Sequence, residues 1–198
     1  MNTSYRSLWN HALGAWVAVS EVTRGRGKRA SGAVMAVGVV AAVMAGAPSN
    51  GAAQSYSYAP NENRATGLTV DTTANTTLAV NAGAAEQSGV VSGNTAGFSL
   101  IKDGAGTLTL SAANTWTGNI SIAAGTLRVS NDANLGNAGN QIVLSNAGTL
   151  QLAQDGFTTN RALNSAAGGT IDAAGTFSNV FNGSIGMSGT LRLINSVG

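Results

Sequence analysis

The 198-residue chain offers few side chains for chemistry. Cysteine is absent, and the single histidine, His11, lies close to the N-terminus. Residues 54–198 therefore cannot assemble a Ser–His–Asp or Cys–His nucleophile, and zinc lacks its nitrogen and sulfur ligands there. Lys102 is the one lysine after Lys28, so a Ser–Lys dyad would rest on it alone. Asp132, Asp155 and Asp172 sit among turn-forming residues. Two of them brought together by the fold could act as acid and base on a glycosidic bond, although an Asp so placed more commonly binds a turn amide. Gly168-Gly169-Thr170-Ile171-Asp172 lacks the glycine pattern of a calcium-binding nonapeptide. Gly104 and Gly106 do not complete a phosphate-cradling GxGxxG, because residue 109 is Thr. Trp116 could stack on a sugar, but its setting favours packing over a turn. We assign no catalytic residue, metal or cofactor, and expect no enzyme.

The elements that would position these groups follow from charge and periodicity. Charged residues make up 9% of the chain, far below the quarter or so usual for globular proteins, while Gly numbers 27. The basic excess is confined to one end. Residues 1–53 carry Arg6, Arg24, Arg26, Lys28 and Arg29 against Glu21, a net +4; the remainder nets −2. A basic pI therefore says nothing about nucleic acid, which we exclude as a partner. The cluster Arg24 to Arg29 precedes an uncharged apolar run, Ala33 to Ala47, too short for the roughly 20 residues of a membrane-spanning helix. Small residues Gly51-Ala52-Ala53 follow. Positive, apolar, then small is the order of a secretory signal peptide, which meets the inner-membrane translocon and signal peptidase. We expect residues 1–53 to be a cleaved, helical leader, cut between Ala53 and Gln54. The polar, aperiodic residues 54–66 read as a flexible new N-terminus.

Residues 67–198 repeat. Gly106-Thr107-Leu108-Thr109-Leu110 returns as Gly125-Thr126-Leu127-Arg128-Val129, as Gly148-Thr149-Leu150-Gln151-Leu152 and as Gly189-Thr190-Leu191-Arg192-Leu193, with a weaker copy at 169–173. A period near 20 marks a solenoid, each copy one coil that must stack on its neighbours to bury its apolar face. In a strand, alternate residues share a face. Leu108, Leu110, Leu127, Val129, Leu150, Leu152, Leu191 and Leu193 are thus the expected core ladder, with Thr109, Arg128, Gln151 and Arg192 facing water. Gly before each strand suits a turn with positive φ. An Ig-like sandwich also has short strands, but gives no reason for the motif to return.

Two segments resemble a known family. Tyr5-Arg6, Trp9-Asn10 and Trp16-Val17-Ala18-Val19-Ser20-Glu21 resemble the extended signal peptide region of type V secreted proteins. Lys102-Asp103-Gly104-Ala105-Gly106-Thr107-Leu108-Thr109-Leu110, then Asn114-Thr115-Trp116-Thr117-Gly118, then Gly125-Thr126-Leu127-Arg128-Val129, resemble the passenger-associated transport repeat of autotransporters. Ala113 and Asn119 depart from the glycines usual at those turns. The resemblance implies an all-β, right-handed parallel β-helix, exported through an outer-membrane β-barrel translocator missing from this chain. It also implies a secreted or surface-displayed adhesin or scaffold whose ligand is unknown. The alternatives are part of a β-helical polysaccharide-active enzyme, a two-partner-secretion exoprotein, whose NPNG-type signature is missing, or a trimeric adhesin, whose β-roll heads and heptads are missing. Because the chain stops at Gly198, one step past a strand, with neither cap nor barrel, we expect a truncated product.

Overall fold

The computed structural model describes residues 5–10, 15–20, 53–70, 72–165, 167–173 and 178–196. In the leader, Tyr5–Asn10 and Ala15–Ser20 form an antiparallel pair with Trp9 opposite Trp16. The leader's described residues are thus strands, and the apolar run expected to be helical lies outside them.

Residues 54–196 wind into a parallel β-solenoid of about 6 turns. Its first face runs through Gln54–Tyr58, Thr76–Val80, Asn94–Asp103, the start of Thr117–Val129, the start of Ile142–Leu152, Leu163–Ser165 and Ile185–Met187, each pairing with the next. The second face runs through Asn63–Arg64, Ala84–Gln87, Thr107–Leu110, the ends of the same two long strands, Gly169–Ala173 and Leu191–Ile194. Every pair is parallel, because each coil returns the chain in the same direction. A narrower third face pairs Leu68–Thr69 with Val91–Ser92 and Thr158–Thr159 with Val180–Phe181. Between them, Thr115 N–H donates to the Val91 carbonyl and Asn137 N–H to the Trp116 carbonyl, both at 2.9 Å. The long strands pass from first to second face through a register shift after Ile122, a bulge that bends the chain round the corner.

Alternation fills the interior. Leu108, Leu127, Leu150 and Ile171 stack in register on the second face, as do Leu110, Val129 and Leu152. All seven are buried. On the first face Leu100, Ile120, Ile142 and Leu163 form a similar column. Each such side chain contributes about 1.5–3 kcal/mol on leaving water.

Three expectations need correction. Residues 54–66 are no flexible lead-in: two of their segments pair in the first coil, with Tyr58 buried. The last motif copy is offset by two residues, because Leu193, and not Leu191, pairs with Ile171. Leu191 is half-buried and Leu193 is 74% exposed, since no strand among the described residues covers the far side of that rung. The repeat glycines, finally, share no positive φ. Gly125 has φ 63°, whereas Gly106 and Gly148 do not have positive φ. What they share is crowding. A Cβ would lie 2.7 Å from the Gly83 oxygen at Gly106, 2.5 Å from the Gly106 oxygen at Gly125 and 2.1 Å from the Ile122 oxygen at Gly148. Each glycine is needed where one coil rests on the backbone of the coil before it.

Candidate functional site

The coil at 100–129 holds the most distinctive polar residues. Lys102 stands in the inward column of the first face, between Leu78 and Ile122, and is 1% exposed. An ammonium there needs acceptors. Its Nζ donates to the carbonyls of Asp103 (2.8 Å), Gly104 (2.8 Å) and, one coil on, Ala124 (3.1 Å). Gly104, at φ 78°, turns the corner that presents two of these oxygens. Burial lowers the Lys102 pKa to about 8, against an opposing pull from the Asp103 charge. The three donors of the ammonium are matched by three main-chain oxygens. Lys102 is thus built as a corner clamp, and this geometry gives no support to a Ser–Lys dyad.

Asparagines do comparable work at the third face. Asn114 accepts from Val91 N–H (2.7 Å) and donates to the Asn134 carbonyl (2.7 Å), joining the coils before and after its own. Asn134 accepts from Ser130 and Asn131 N–H and donates to the Ser111 and Ala112 carbonyls. Asn140 accepts from Gly118 N–H and donates to the Trp116 and Leu135 carbonyls. These side chains supply the partners that loop backbone would otherwise lack away from water. Trp116 is fully buried, which leaves no ring for a sugar, and it packs against the turn that ends at Gly136. Gly136 rests on it: a Cβ there would lie 2.8 Å from Trp116 Cδ2. The same Asn-x-aromatic unit recurs as Asn179-Val180-Phe181, where Asn179 accepts from Phe157 N–H (3.0 Å). Sequence reading missed that copy, although its spacing was there to find.

Arg161 was also missed. It is 3% exposed and reaches back one coil to the 3₁₀ turn Asp132–Leu135. Its Nε and Nη2 bind both Asp132 carboxylate oxygens at 2.7 and 3.1 Å. The same Nη2 donates to the Asp132 and Gly136 carbonyls, and Nη1 to the Asn137 carbonyl. One planar fork thereby fixes the longest turn of the repeat region.

Two of the three turn aspartates are committed to the scaffold, and Asp155 is exposed. Asp132 is held by Arg161; Asp172 accepts from Gln151 Nε2 (3.0 Å) and from Ser196 N–H (2.8 Å) and Oγ. Burial works to raise the Asp172 pKa, but these bonds outweigh it and leave the carboxyl below its usual value. Among the described residues, no three His, Cys, Asp or Glu side chains gather to hold a metal. An open recess lined by Gly169, Thr170, Thr190 and Arg192 offers one cation and two hydroxyls.

Known proteins resemble this chain in both of its parts. The family model of the passenger-associated transport repeat matches residues 100–129. That of the extended signal peptide of type V secretion systems matches residues 1–49. Over 34 residues the chain is 62% identical to the autotransporter adhesin NhhA of Neisseria meningitidis serogroup B (strain ATCC BAA-335 / MC58). That stretch is 17% of this chain and spans 6% of the relative's length. No solved structure matches. An export leader ahead of a parallel solenoid built on this repeat defines the class, a type V secretion passenger. The chain is an autotransporter passenger sequence with its leader, exported to the cell surface or outer membrane, or secreted.

Proposed function

We propose that the passenger acts without catalysis, as an adhesin or a structural scaffold that displays an outer surface on a rigid stack of coils. The observation that carries this reading is the fate of the buried polar side chains. Lys102, Asn114, Asn134, Asn140 and Arg161 bind mostly main-chain groups, many on an adjacent coil. Groups so engaged hold the scaffold, which supports a passenger that acts as a displayed surface. The adhesin named among the relatives supports the same reading.

Export runs through the inner-membrane translocon, with signal peptidase cutting between Ala53 and Gln54 and a separate outer-membrane β-barrel translocator completing the path. The first strand of the solenoid begins at Gln54, which supports that boundary: the mature chain would start at the first paired residue. Mass spectrometry of the exported protein should give an N-terminus at Gln54.

The test of the function displays the passenger on a non-adherent Gram-negative host through a fused translocator. We expect displayed cells to bind epithelial monolayers or each other above the level of a translocator-only strain. Purified passenger should release no reducing sugar from a polysaccharide panel. Sugar release that is lost in an Asp132→Asn or Asp172→Asn variant would replace this reading with the enzyme.

A further inference from the structure

On the second face, the outward side chains fall into columns that climb from rung to rung. One column reads Asn63, Glu86, Thr109, Arg128, Gln151. The column beside it reads Ala84, Thr107, Thr126, Thr149. This second column is small throughout, so the longer side chains of the first stand out from a low, even surface. Asn63, Ala84 and Arg128 are exposed.

The first column has a symmetry that stacking within one chain does not require. On one side of Thr109 stand a carboxylate and then an amide; on the other stand a guanidinium and then an amide. Read in reverse, the column therefore complements itself. Thr109 meets Thr109, Glu86 meets Arg128 and Asn63 meets Gln151. One copy does not use this complementarity. Glu86 and Arg128 stand two rungs apart, with Thr109 between them. Among the described residues, Arg128 bonds to no other side chain. Glu86 is held on the face: Oε1 accepts from Ser111 Oγ (2.6 Å) and Oε2 from Asn63 Nδ2 (3.2 Å). A carboxylate has about four lone-pair sites, so it can still accept from a guanidinium.

We propose that this face is an interface between two copies of the chain. They are related by a twofold axis along the strand direction at Thr109, and each Arg128 meets Glu86 of the other copy. The two solenoids then run in opposite directions. Facing sheets lie about 10 Å apart, a gap that an Arg and a Glu side chain span together, and the small column lets the sheets come that close. An axis at Gln151 would instead set Arg128 against Asp172, which is 5% exposed and already bonded to Gln151 and Ser196. The contact is isologous, so it closes at two copies. It uses only the rungs from Asn63 to Gln151. Those rungs give a strip of about 300 Å² per copy, well under the roughly 800 Å² of a standard interface, so the dimer is weak. Its opposed charges set register more than strength. The inference goes beyond the function proposed above: a passenger that adheres and stays monomeric would keep that function and lose this dimer.

Sedimentation velocity on the full chain, exported and purified with its own processing, tests this in low salt over a hundredfold range of concentration. The unchanged chain should shift from monomer to dimer and no further. Glu86→Lys and Arg128→Glu each set like charges against one another, so each alone should stay monomeric. An equimolar mixture of the two should dimerise again, because Lys at 86 then meets Glu at 128 and the untouched Arg128 meets the untouched Glu86. A monomeric unchanged chain would overturn the proposal, as would a single variant that dimerises like it or a mixture that stays monomeric. Should either variant lose its β-sheet circular dichroism, Thr109→Asp, which opposes itself across the axis, takes its place. It should stay monomeric, and its dimerisation would overturn the proposal.

Discussion

At the scale of single residues, the repeat is a set of answers to crowding and burial. Gly148 is the clearest case, with the Ile122 oxygen standing where a Cβ would go. Gly148→Ala should lower stability by about 1–3 kcal/mol or more, read as the urea midpoint of the purified passenger. Its recurrence was plain in the sequence, but the reason was not. A positive φ is a property of one residue and can be guessed from the residue type. A close approach involves a second coil some 20 residues away. Lys102 likewise stood out as the one lysine of the region, while its three carbonyl partners emerge only when the corner is folded. With its pKa lowered from 10.5 to about 8, the folded chain releases a proton that the unfolded chain keeps between those values. The unfolded state binds more protons in that window, so this residue's contribution to stability rises from about pH 8 to 10.5. Thermal midpoints of the unchanged chain minus those of Lys102→Met should climb across that interval. A flat difference would mean that the ammonium is not desolvated. Tyr58, whose pKa burial pushes up, titrates in both chains and cancels in the subtraction.

At the scale of elements, two ways of joining coils operate side by side. Strand columns join by main-chain bonds and stacked aliphatic side chains. Alternation of Leu108 with Leu110, or Leu127 with Val129, was enough to place them. The third face and the long turn after Val129 add side-chain bonds to their main-chain ones, through Asn114, Asn140, Asn179 and Arg161. The recurrence of Asn114 as Asn179 can be read from spacing, but nothing periodic announces Asn140 or Arg161, because each serves a local set of carbonyls and amides. The first coil escaped for a related reason. Residues 54–66 lack the motif, yet Tyr56 and Tyr58 alternate in the way a strand requires. The last coil departs from its motif because first-face pairing of Leu163 with Ile185 sets its length and carries Leu193 opposite Ile171. Asn114→Ala strands Val91 N–H and the Asn134 carbonyl, and should cost about 1–3 kcal/mol for each group left unpaired. Arg161→Ala leaves the Asp132 carboxylate and the Asp132 and Gly136 carbonyls without their donor. Because coils interact with their neighbours, its effect should be local. Hydrogen exchange should speed up at 131–140 before it does at 76–87.

At the scale of the whole molecule, the leader and the solenoid are built on different principles. The leader carries the positive charge, and the low-charge solenoid after it carries weight only when its coils stack. That stacking in one register is the claim on which the clamps and the glycine crowding depend. The chain has no native cysteine, so engineered pairs can report on it directly. Thr109 and Arg128 are partners on adjacent rungs of the second face, and Gln151 is the partner of Arg128 one rung further on. Adjacent strands lie about 4.8 Å apart, within disulfide reach, and strands two apart lie beyond it. The decisive measurement is oxidative cross-linking of the exported passenger with Thr109→Cys plus Arg128→Cys, beside Thr109→Cys plus Gln151→Cys. A stacked solenoid predicts that the first pair closes within one chain and the second stays reduced. Closure of the second pair, or of neither, would contradict the register and with it the fold described for this passenger.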